Sequence, residues 1–335
     1  MELGNRITIL DGAMGTILQS MGILPAKAPE STNLSHPDAV IHIHRSYIQS
    51  GSDIIYTNTF GVNRYKLQNT GYTVSQLIGA ALKNAQAASA AENGNVQIAL
   101  DCGPIGTMLK PNGDLSFEAA YDIFKEICLC AEKDGPDRIA FETFNDLLEM
   151  KAAILAAKEN TSLPVLASMT FEANGRTFSG VSIPSAAVTL SGLGVTALGI
   201  NCSLGPAQIL PLAAEMAKWT ELPMIIKPNA GLPNLNNGKY DISADEFADV
   251  MDQFADSGIN ILGGCCGTTP EYIEKISKRL KTKTPVKRPP VARSVLCSAE
   301  KTVEIDGVRI VGERINPTGK KQFKSALLNH DIDYI

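Results

Sequence analysis

The sequence predicts a (β/α)8 barrel of the TIM type with a short C-terminal extension. Eight short runs of apolar and β-branched residues lie between residues 6 and 267, and amphipathic stretches separate them. The runs alternate little between polar and apolar residues, which is typical of parallel strands that are buried on both faces. Eight strands that are each followed by a helix fit this barrel, and a doubly wound open sheet is the alternative that the pattern leaves open.

The predicted elements follow one another in a regular order. Residues 36–51 carry apolar side chains at helical spacing and end at Gly51, and residues 116–135 begin at Ser116, a residue type that caps helices. Residues 242–258 show the same helical pattern. The eight predicted strands span residues 6–12, 52–58, 96–103, 137–143, 164–171, 197–203, 223–231 and 259–267.

Composition and charge exclude several classes of protein. The 335 residues include 44% hydrophobic and 19% charged residues, which is ordinary for a soluble globular protein. The formal net charge of −5 argues against a nucleic-acid-binding or membrane-surface protein, and no apolar run approaches the length of a membrane span. Because the N-terminus lacks the features of a signal peptide, we expect a cytoplasmic protein with no nucleic-acid or membrane partner. Seven cysteines in that compartment do not indicate a disulfide framework.

Polar and unusual residues stand at the ends of most predicted strands. In a barrel of this type, the loops that follow the strands carry the chemistry at the C-terminal face. The clustering therefore predicts an active site at that face. The strand-end residues are Asp11, Asn58, Asp101, Cys102, Glu142, Asn201, Cys202, Asn229, Cys265 and Cys266.

Two adjacent cysteines lie in the glycine-rich segment ILGGCCGTTPE, residues 261–271. In a regular strand, Cys265 and Cys266 would point to opposite faces. Glycines adopt backbone angles that are closed to other residues, so we expect the chain after the eighth strand to turn both thiols inward. The glycines concerned are Gly263, Gly264 and Gly267.

A third cysteine stands where it can join this pair. Cys202 follows the sixth predicted strand, and alternate strands of a barrel contribute side chains to the same layer. Three thiolates with an open fourth position describe a catalytic zinc site rather than a closed structural one. The alternatives for Cys265 and Cys266 are a vicinal disulfide or two packing residues. We expect Cys128 to be a small core residue, Cys102 a bystander, and Cys297 to have no partner.

Six short motifs together resemble those of the homocysteine S-methyltransferases, over roughly residues 5–281. The resemblance implies a (β/α)8 barrel with a zinc ion bound by Cys202, Cys265 and Cys266. It also implies methyl transfer to the thiol of homocysteine, which gives methionine. The motifs are DGAMGT (11–16), TNTFG (57–61), FETF (141–144), GINCSLGP (199–206), PNAG (228–231) and GGCCGTTP (263–270).

Acidic residues at neighbouring strand ends are candidates for binding the substrate ammonium. Asp11 and Glu142 could hold it by charge-assisted hydrogen bonds, and the resemblance implies the same role for both. Backbone N–H groups around Ala13 and Met14 could receive the substrate carboxylate. Asn229 is a candidate site ligand, or a stand-in at zinc when substrate is absent. The alternatives are that Asp11 is a turn residue and that Glu142 pairs with a nearby Lys or Arg.

The C-terminal residues indicate a modular parent. Residues 1–281 form the predicted barrel, residues 282–303 a Pro-rich, basic and solvated linker, and residues 304–335 a truncated start of another domain. That start resembles the methyltetrahydrofolate-binding domain that follows the homocysteine domain in cobalamin-dependent methionine synthases. The resemblance implies methylcobalamin as methyl donor, with a cobalamin-binding module and a folate-binding domain as partners in cis or in trans. A transferase with S-methylmethionine or a betaine-like donor, and a non-catalytic zinc or redox thiol module, are the alternatives.

Overall fold

The computed structural model of the chain describes residues 3–23, 28–233, 240–310, 312 and 316–335. The chain is divided into two compact units. One runs to Ala292 and includes Cys297–Thr302, and the other comprises Arg293–Leu296 and Val303–Ile335. Within the described ranges, none of the helices combines the length and the apolar composition that a membrane span requires.

Eight parallel strands form the predicted barrel. Their order in the sheet is β1-β8-β7-β6-β5-β4-β3-β2, and a parallel bridge between Leu10 and Ile54 links β1 to β2. Closure between the first two strands excludes the doubly wound open sheet. The strands are β1 (Thr8–Ile9), β2 (Ile54–Tyr56), β3 (Gln97–Cys102), β4 (Arg138–Phe144), β5 (Val165–Met169), β6 (Ala197–Asn201), β7 (Met224–Lys227) and β8 (Ile261–Leu262).

Helices cover the outside of the barrel, and the three helices predicted from the sequence are confirmed. The Ser116 hydroxyl accepts a hydrogen bond from Ala119 N at 3.1 Å, and Gly51 follows its helix with a φ of +97°. The helices of the barrel unit are α1 (Gly15–Ser20), α2 (Thr32–Ser35), α3 (Pro37–Gln49), α4 (Val74–Ala91), α5 (Phe117–Asp134), α6 (Leu147–Asn160), α7 (Ile183–Gly192), α8 (Pro206–Met216), α9 (Ala244–Asp256) and α10 (Pro270–Leu280), with a 3-10 turn at Pro29–Ser31. The second unit contains α11 (Lys321–Leu328).

The inside of the barrel is filled by small and medium side chains. Every strand, or the residue directly after it, contributes to one buried apolar cluster, in which Ala99, Ala140 and Ala197 occupy three of the eight strand positions. A second and larger cluster lies between the strands and the helices and includes Cys128, as expected for a small core residue. The alanines leave room above the inner cluster for larger polar side chains at the C-terminal ends of the strands.

The segment after the barrel is mostly exposed, and one of its side chains is anchored to the barrel. The half-buried Arg288 guanidinium donates to the Leu222 carbonyl oxygen, and burial lowers the pKa of Arg288. Cys297, for which no partner was expected, has its Sγ 3.4 Å from Thr189 Oγ1. Cys297 is the last residue of the short strand β9 (Val295–Cys297), which pairs with the short strand β10 (Thr302–Glu304). The division into a barrel to residue 281, a linker to residue 303 and a truncated domain stays a prediction.

Close packing between β6 and β7 leads to a test of the fold. A Cβ atom at Gly199 would overlap the Ile225 carbonyl oxygen of the neighbouring strand. We therefore expect Gly199→Ala to lower the free energy of unfolding by about 3 kcal/mol or more, because two paired strands must separate. Urea unfolding of the purified protein measures this change.

The matched control is Gly79→Ala in the middle of α4. Its Cβ would make an ordinary contact of 3.5 Å with Asp134 Oδ2. Since alanine is the better helix former, stability should stay equal or rise by up to about 1 kcal/mol. Equal stability of the Gly199 and Gly79 variants would contradict the strand packing described here.

Candidate active site

A cavity of about 650 Å³ opens at the C-terminal ends of the strands. Its walls come from the last residues of β2, β3, β4 and β7 and from the loops after β1, β2, β6 and β8, so that many of the strand-end residues meet in one place. The polar and sulfur-containing residues that line it include Asp11, Glu30, Thr57, Asn58, Asp101, Glu142, Thr143, Cys202, Lys227, Cys265 and Cys266.

The three cysteines of the predicted metal site come together at this cavity. The Sγ atoms of Cys202, Cys265 and Cys266 all lie within 4.8 Å of one another. Backbone hydrogen bonds fix two of them against β7, because Cys202 N donates to Lys227 O at 3.0 Å and Cys265 N donates to Pro228 O at 2.8 Å. The group can therefore offer three sulfur ligands to one metal ion.

The glycines beside the cysteine pair act differently from expectation. Only Gly267 has a positive φ, of +80°. A Cβ atom at Gly263 would lie 2.6 Å from Leu10 Cβ, and one at Gly264 would overlap Thr268 Oγ1, so these two positions require glycine for close packing. The left-handed backbone occurs instead at Cys202 and its neighbour Ser203, each with a φ of +63°.

Hydrogen bonds among the three thiols shift their pKa values in opposite directions. Hydrogen bonds from Cys265 and Cys266 hold the pKa of Cys202 well below its usual range, and the same contact with Cys202 raises the pKa of Cys265. The side chain of Asn229 also hydrogen-bonds Cys202, and no donor in the described part of the chain reaches its buried Oδ1. A positive ion at this group would favour loss of the thiol protons, because metals bind thiolates.

Asp11 presents a free acceptor to the cavity. Its Oδ2 accepts from Tyr56 N at 2.7 Å, whereas its buried Oδ1 has no hydrogen-bond partner among the described residues. Burial raises the pKa of Asp11 to about 7, against the opposing charge of Lys227. Asp101 is similar, because burial raises its pKa well above the usual range and its Oδ1 finds no donor within the same ranges.

Lys227, at the end of β7, is the site residue that the sequence prediction missed. Only 3% exposed, it donates from Nζ to Glu142 Oε2 at 2.8 Å and lies 3.9 Å from Asp11 Oδ1. The Nζ atom is also 3.7 Å from the centroid of the Tyr56 ring. Burial disfavours its charge, but Glu142 and Asp11 together hold the pKa of Lys227 above its usual value. Glu142 thus has the lysine partner that was the alternative for it.

The remaining predicted residues have different surroundings. The Ala13 N–H donates to Thr268 O at 3.3 Å, and Met14 precedes the first turn of α1. Both line the cavity. Asn58 donates to Thr32 Oγ1 at 2.8 Å. Cys102 is buried and stays outside the sulfur group, as expected of a bystander.

The sequence does contain a signal for Lys227, because a lysine ends an otherwise apolar strand there. In the segment PMIIKPNAG, residues 223–231, Lys227 follows three strand residues that are fully or almost fully buried. Lysine is almost never buried without a paired charge, so its position among buried neighbours indicates an acidic partner across the barrel. The sequence does not identify that partner.

Comparison with known proteins agrees with the fold. The family model described as Homocysteine S-methyltransferase matches residues 8–280. Methionine synthases of Mycobacterium tuberculosis and Mycobacterium leprae are 32% identical over 353 residues and 30% identical over 358 residues. These alignments cover 98% of this chain, which spans only 29% of the length of each curated relative.

A solved structure shows the same fold. The metallated form of the homocysteine methyltransferase MmuM from Escherichia coli superposes with a TM-score of 0.72 and 24% sequence identity. The match covers 82% of this chain and 96% of that chain. Because the family model extends over most of the sequence and the barrel agrees with it, the chain belongs to the homocysteine S-methyltransferase family.

Proposed function

We propose that the chain transfers a methyl group to the thiol of homocysteine, which gives methionine, with a zinc ion held by Cys202, Cys265 and Cys266. The observation that carries the proposal is the convergence of three sulfur atoms, within 4.8 Å of one another, on a cavity large enough for an amino acid. The match to the family model supports the same reaction.

The sulfur atoms fit the proposed metal. Three sulfurs around a tetrahedral zinc ion, each at about 2.3 Å, lie about 3.8 Å apart, so that shifts of about 1 Å or less would complete the site. When bound, zinc would hold a thiol ligand as the thiolate, the form that attacks carbon. The free Oδ1 of Asn229 beside Cys202 is suited to cover the metal until substrate enters.

Charge balance at the cavity supports an ammonium-bearing substrate. Asp11 and Glu142 supply two acidic groups beside the single ammonium of Lys227, and burial raises the pKa of a third acid, Asp101. One further ammonium could pair with an acid that Lys227 does not fully neutralise. Asp11 Oδ1 lies 3.9 Å from Lys227 Nζ and accepts no hydrogen bond within the described ranges, so it is the acceptor available. We infer that Asp11 is the main ammonium ligand and that Glu142 assists it from its ion pair. Backbone N–H groups beside Met14 would receive the substrate carboxylate, because the Ala13 N–H already donates to Thr268 O.

The methyl group would come from methylcobalamin carried by a module outside this chain. Relatives that match nearly all of the chain are named methionine synthases, and the chain spans 29% of their length. Residues 304–335 also resemble the start of a methyltetrahydrofolate-binding domain. We therefore propose a cobalamin-binding module and a folate-binding domain as partners, in cis or in trans. All seven cysteines are free, which fits the reducing cytoplasm.

The metal assignment predicts the effect of removing one sulfur. The wild-type protein should hold one zinc per chain, and Cys265→Ala should lose both the zinc and the methylation of homocysteine. Cys130→Ala is the matched control, because Cys130 lies on α5, away from the sulfur group. Elemental analysis and a methionine assay measure both properties. Full activity of metal-free protein would refute the assignment.

The role of Asp11 predicts a pH-dependent affinity. Because only the carboxylate attracts an ammonium and the pKa of Asp11 is about 7, binding of methionine should strengthen as the pH rises through 7. Methionine is a suitable probe since its thioether does not titrate. Asp11→Asn should weaken binding about ten- to hundredfold, for a loss of about 1.5–3 kcal/mol, and abolish this pH dependence.

Glu142→Gln should also weaken binding of methionine and homocysteine, since the neutral amide retains only part of the attraction. Zinc content should stay normal in both variants, because neither acid is proposed as a metal ligand. Calorimetric titrations between pH 5.5 and 8.5 would provide the affinities. Unchanged affinity in both variants would disprove the assigned role of the two acids.

The donor assignment predicts which methyl compounds the isolated chain accepts. No Asp-x-His-x-x-Gly cobalamin-ligating motif occurs in the 335 residues. Zinc-loaded protein should therefore form methionine slowly from homocysteine and free methylcobalamin, at a rate that rises with donor concentration. It should form none from methyltetrahydrofolate in cobalamin-free buffer. Efficient turnover with S-methylmethionine or a betaine in the same assay would instead identify the alternative donor class.

A further inference from the structure

Asn201, the last residue of β6, connects two halves of the cavity. Its side chain is completely buried, and its Nδ2 donates to Cys265 Sγ at 3.9 Å. The same Nδ2 donates to Thr143 Oγ1 at 2.7 Å. One amide group therefore contacts both a sulfur of the cysteine group and the residue that follows Glu142.

The orientation of the Asn201 amide is fixed by a backbone N–H group, which can donate a hydrogen bond but cannot accept one. Asn201 Oδ1 accepts from the backbone N–H of Thr143 at 2.8 Å and from Ser168 Oγ at 2.8 Å. A backbone N–H only donates, so the oxygen of the amide must face it. The NH2 group consequently faces Cys265, and the polar groups of the Asn201 side chain are satisfied on both sides.

The contact with Thr143 supports an irregular part of β4. Phe141 pairs with Ala167 and Phe144 pairs with Met169, so that Glu142 and Thr143 both stand opposite Ser168. Thr143 has a φ of +65°, a backbone conformation that costs a β-branched residue about 1–3 kcal/mol. Two hydrogen bonds between Asn201 and Thr143, one accepted and one donated by the Asn201 amide, stabilise this bulge, which carries Glu142 at the wall of the cavity.

We propose that Asn201 is a positioning residue for the metal centre: its amide joins the β4 bulge to Cys265 and donates a hydrogen bond to the sulfur that would bind zinc. A donor to a thiolate stabilises the charged sulfur and fixes its direction, which is how outer-shell groups strengthen a metal site. The inference rests on the proposed zinc-binding function and extends it beyond the three cysteines.

The informative variant is Asn201→Asp. Its two oxygens can still accept from the Thr143 N–H, from Ser168 and from the Thr143 hydroxyl, so the bulge keeps its support. What changes is the atom that faces Cys265, because an oxygen replaces the N–H donor. Because Asn201→Asp also brings a carboxylate near the sulfurs, a purely structural role predicts unchanged or tighter zinc binding in this variant, whereas loss of the donor to Cys265 predicts weaker binding.

Three measurements test the proposal on the whole chain: zinc affinity by chelator competition, the sulfur-to-cobalt absorption of the Co²⁺-loaded protein, and thermal unfolding without metal. We expect Asn201→Asp to raise the dissociation constant for zinc about 10- to 100-fold and to shift the cobalt band. The matched control is Ser168→Ala, which removes a donor to Oδ1 but leaves the contact with Cys265 in place. Its dissociation constant should stay within about twofold of the wild-type value.

The outcomes separate this inference from the proposed function. Wild-type zinc affinity and an unchanged cobalt spectrum in a folded Asn201→Asp protein would overturn the role of Asn201 alone. Failure of the wild-type chain to bind zinc would overturn the proposed function and this inference with it. If Asn201→Asp does not fold, Asn201→Ser decides the question, since it removes the N–H donor without adding a charge and should weaken zinc binding to a similar extent.

Discussion

The buried ion pair between Lys227 and Glu142 is the interaction on which the arrangement of the cavity depends. A lysine that is 3% exposed is tolerated only because Glu142 lies 2.8 Å away, Asp11 lies nearby and the Tyr56 ring stands under its ammonium. Removal of one partner from such a pair typically costs about 3–5 kcal/mol, since the other charge stays buried. The pair therefore holds β4 and β7 at a fixed separation across the barrel.

The apolar interior explains why this charge cluster fits. The small side chains of alanines in β3, β4 and β6 belong to the inner apolar layer of the barrel. The larger polar side chains lie at the C-terminal ends of the strands, on one side of that layer. Because Lys227 also accepts a backbone hydrogen bond from Cys202 N at 3.0 Å, the residue that balances the acids is joined to the residue that carries a sulfur. Lys227, at the end of β7, thus both balances the charge of the acids and helps to hold the backbone of Cys202 in place.

Much of the fold and part of the site could be predicted from sequence because they depend on periodicity and on strand ends. The eight strands, three helices and the meeting of Cys202 with the cysteine pair follow from those patterns. The errors concern contacts between segments distant in the chain. Gly263 is a glycine because Leu10 packs against it, and Lys227 matters because Glu142 lies across the barrel. Local sequence contains neither fact, and the same holds for Arg288 at Leu222.

Several departures from ordinary backbone and hydrogen-bonding rules lie at or beside the cavity. Thr143, Cys202 and Ser203 have a positive φ without being glycine, at a cost of about 1–3 kcal/mol each. Within the described ranges, Asp11 and Asn229 each bury an oxygen that receives no hydrogen bond. A cation at the sulfurs and an ammonium at Asp11 would satisfy groups that the rest of the barrel holds in place. Ligands that bind only the folded chain raise its stability. The proposed metal and substrate would therefore stabilise a cavity whose polar groups the protein alone leaves without hydrogen bonds.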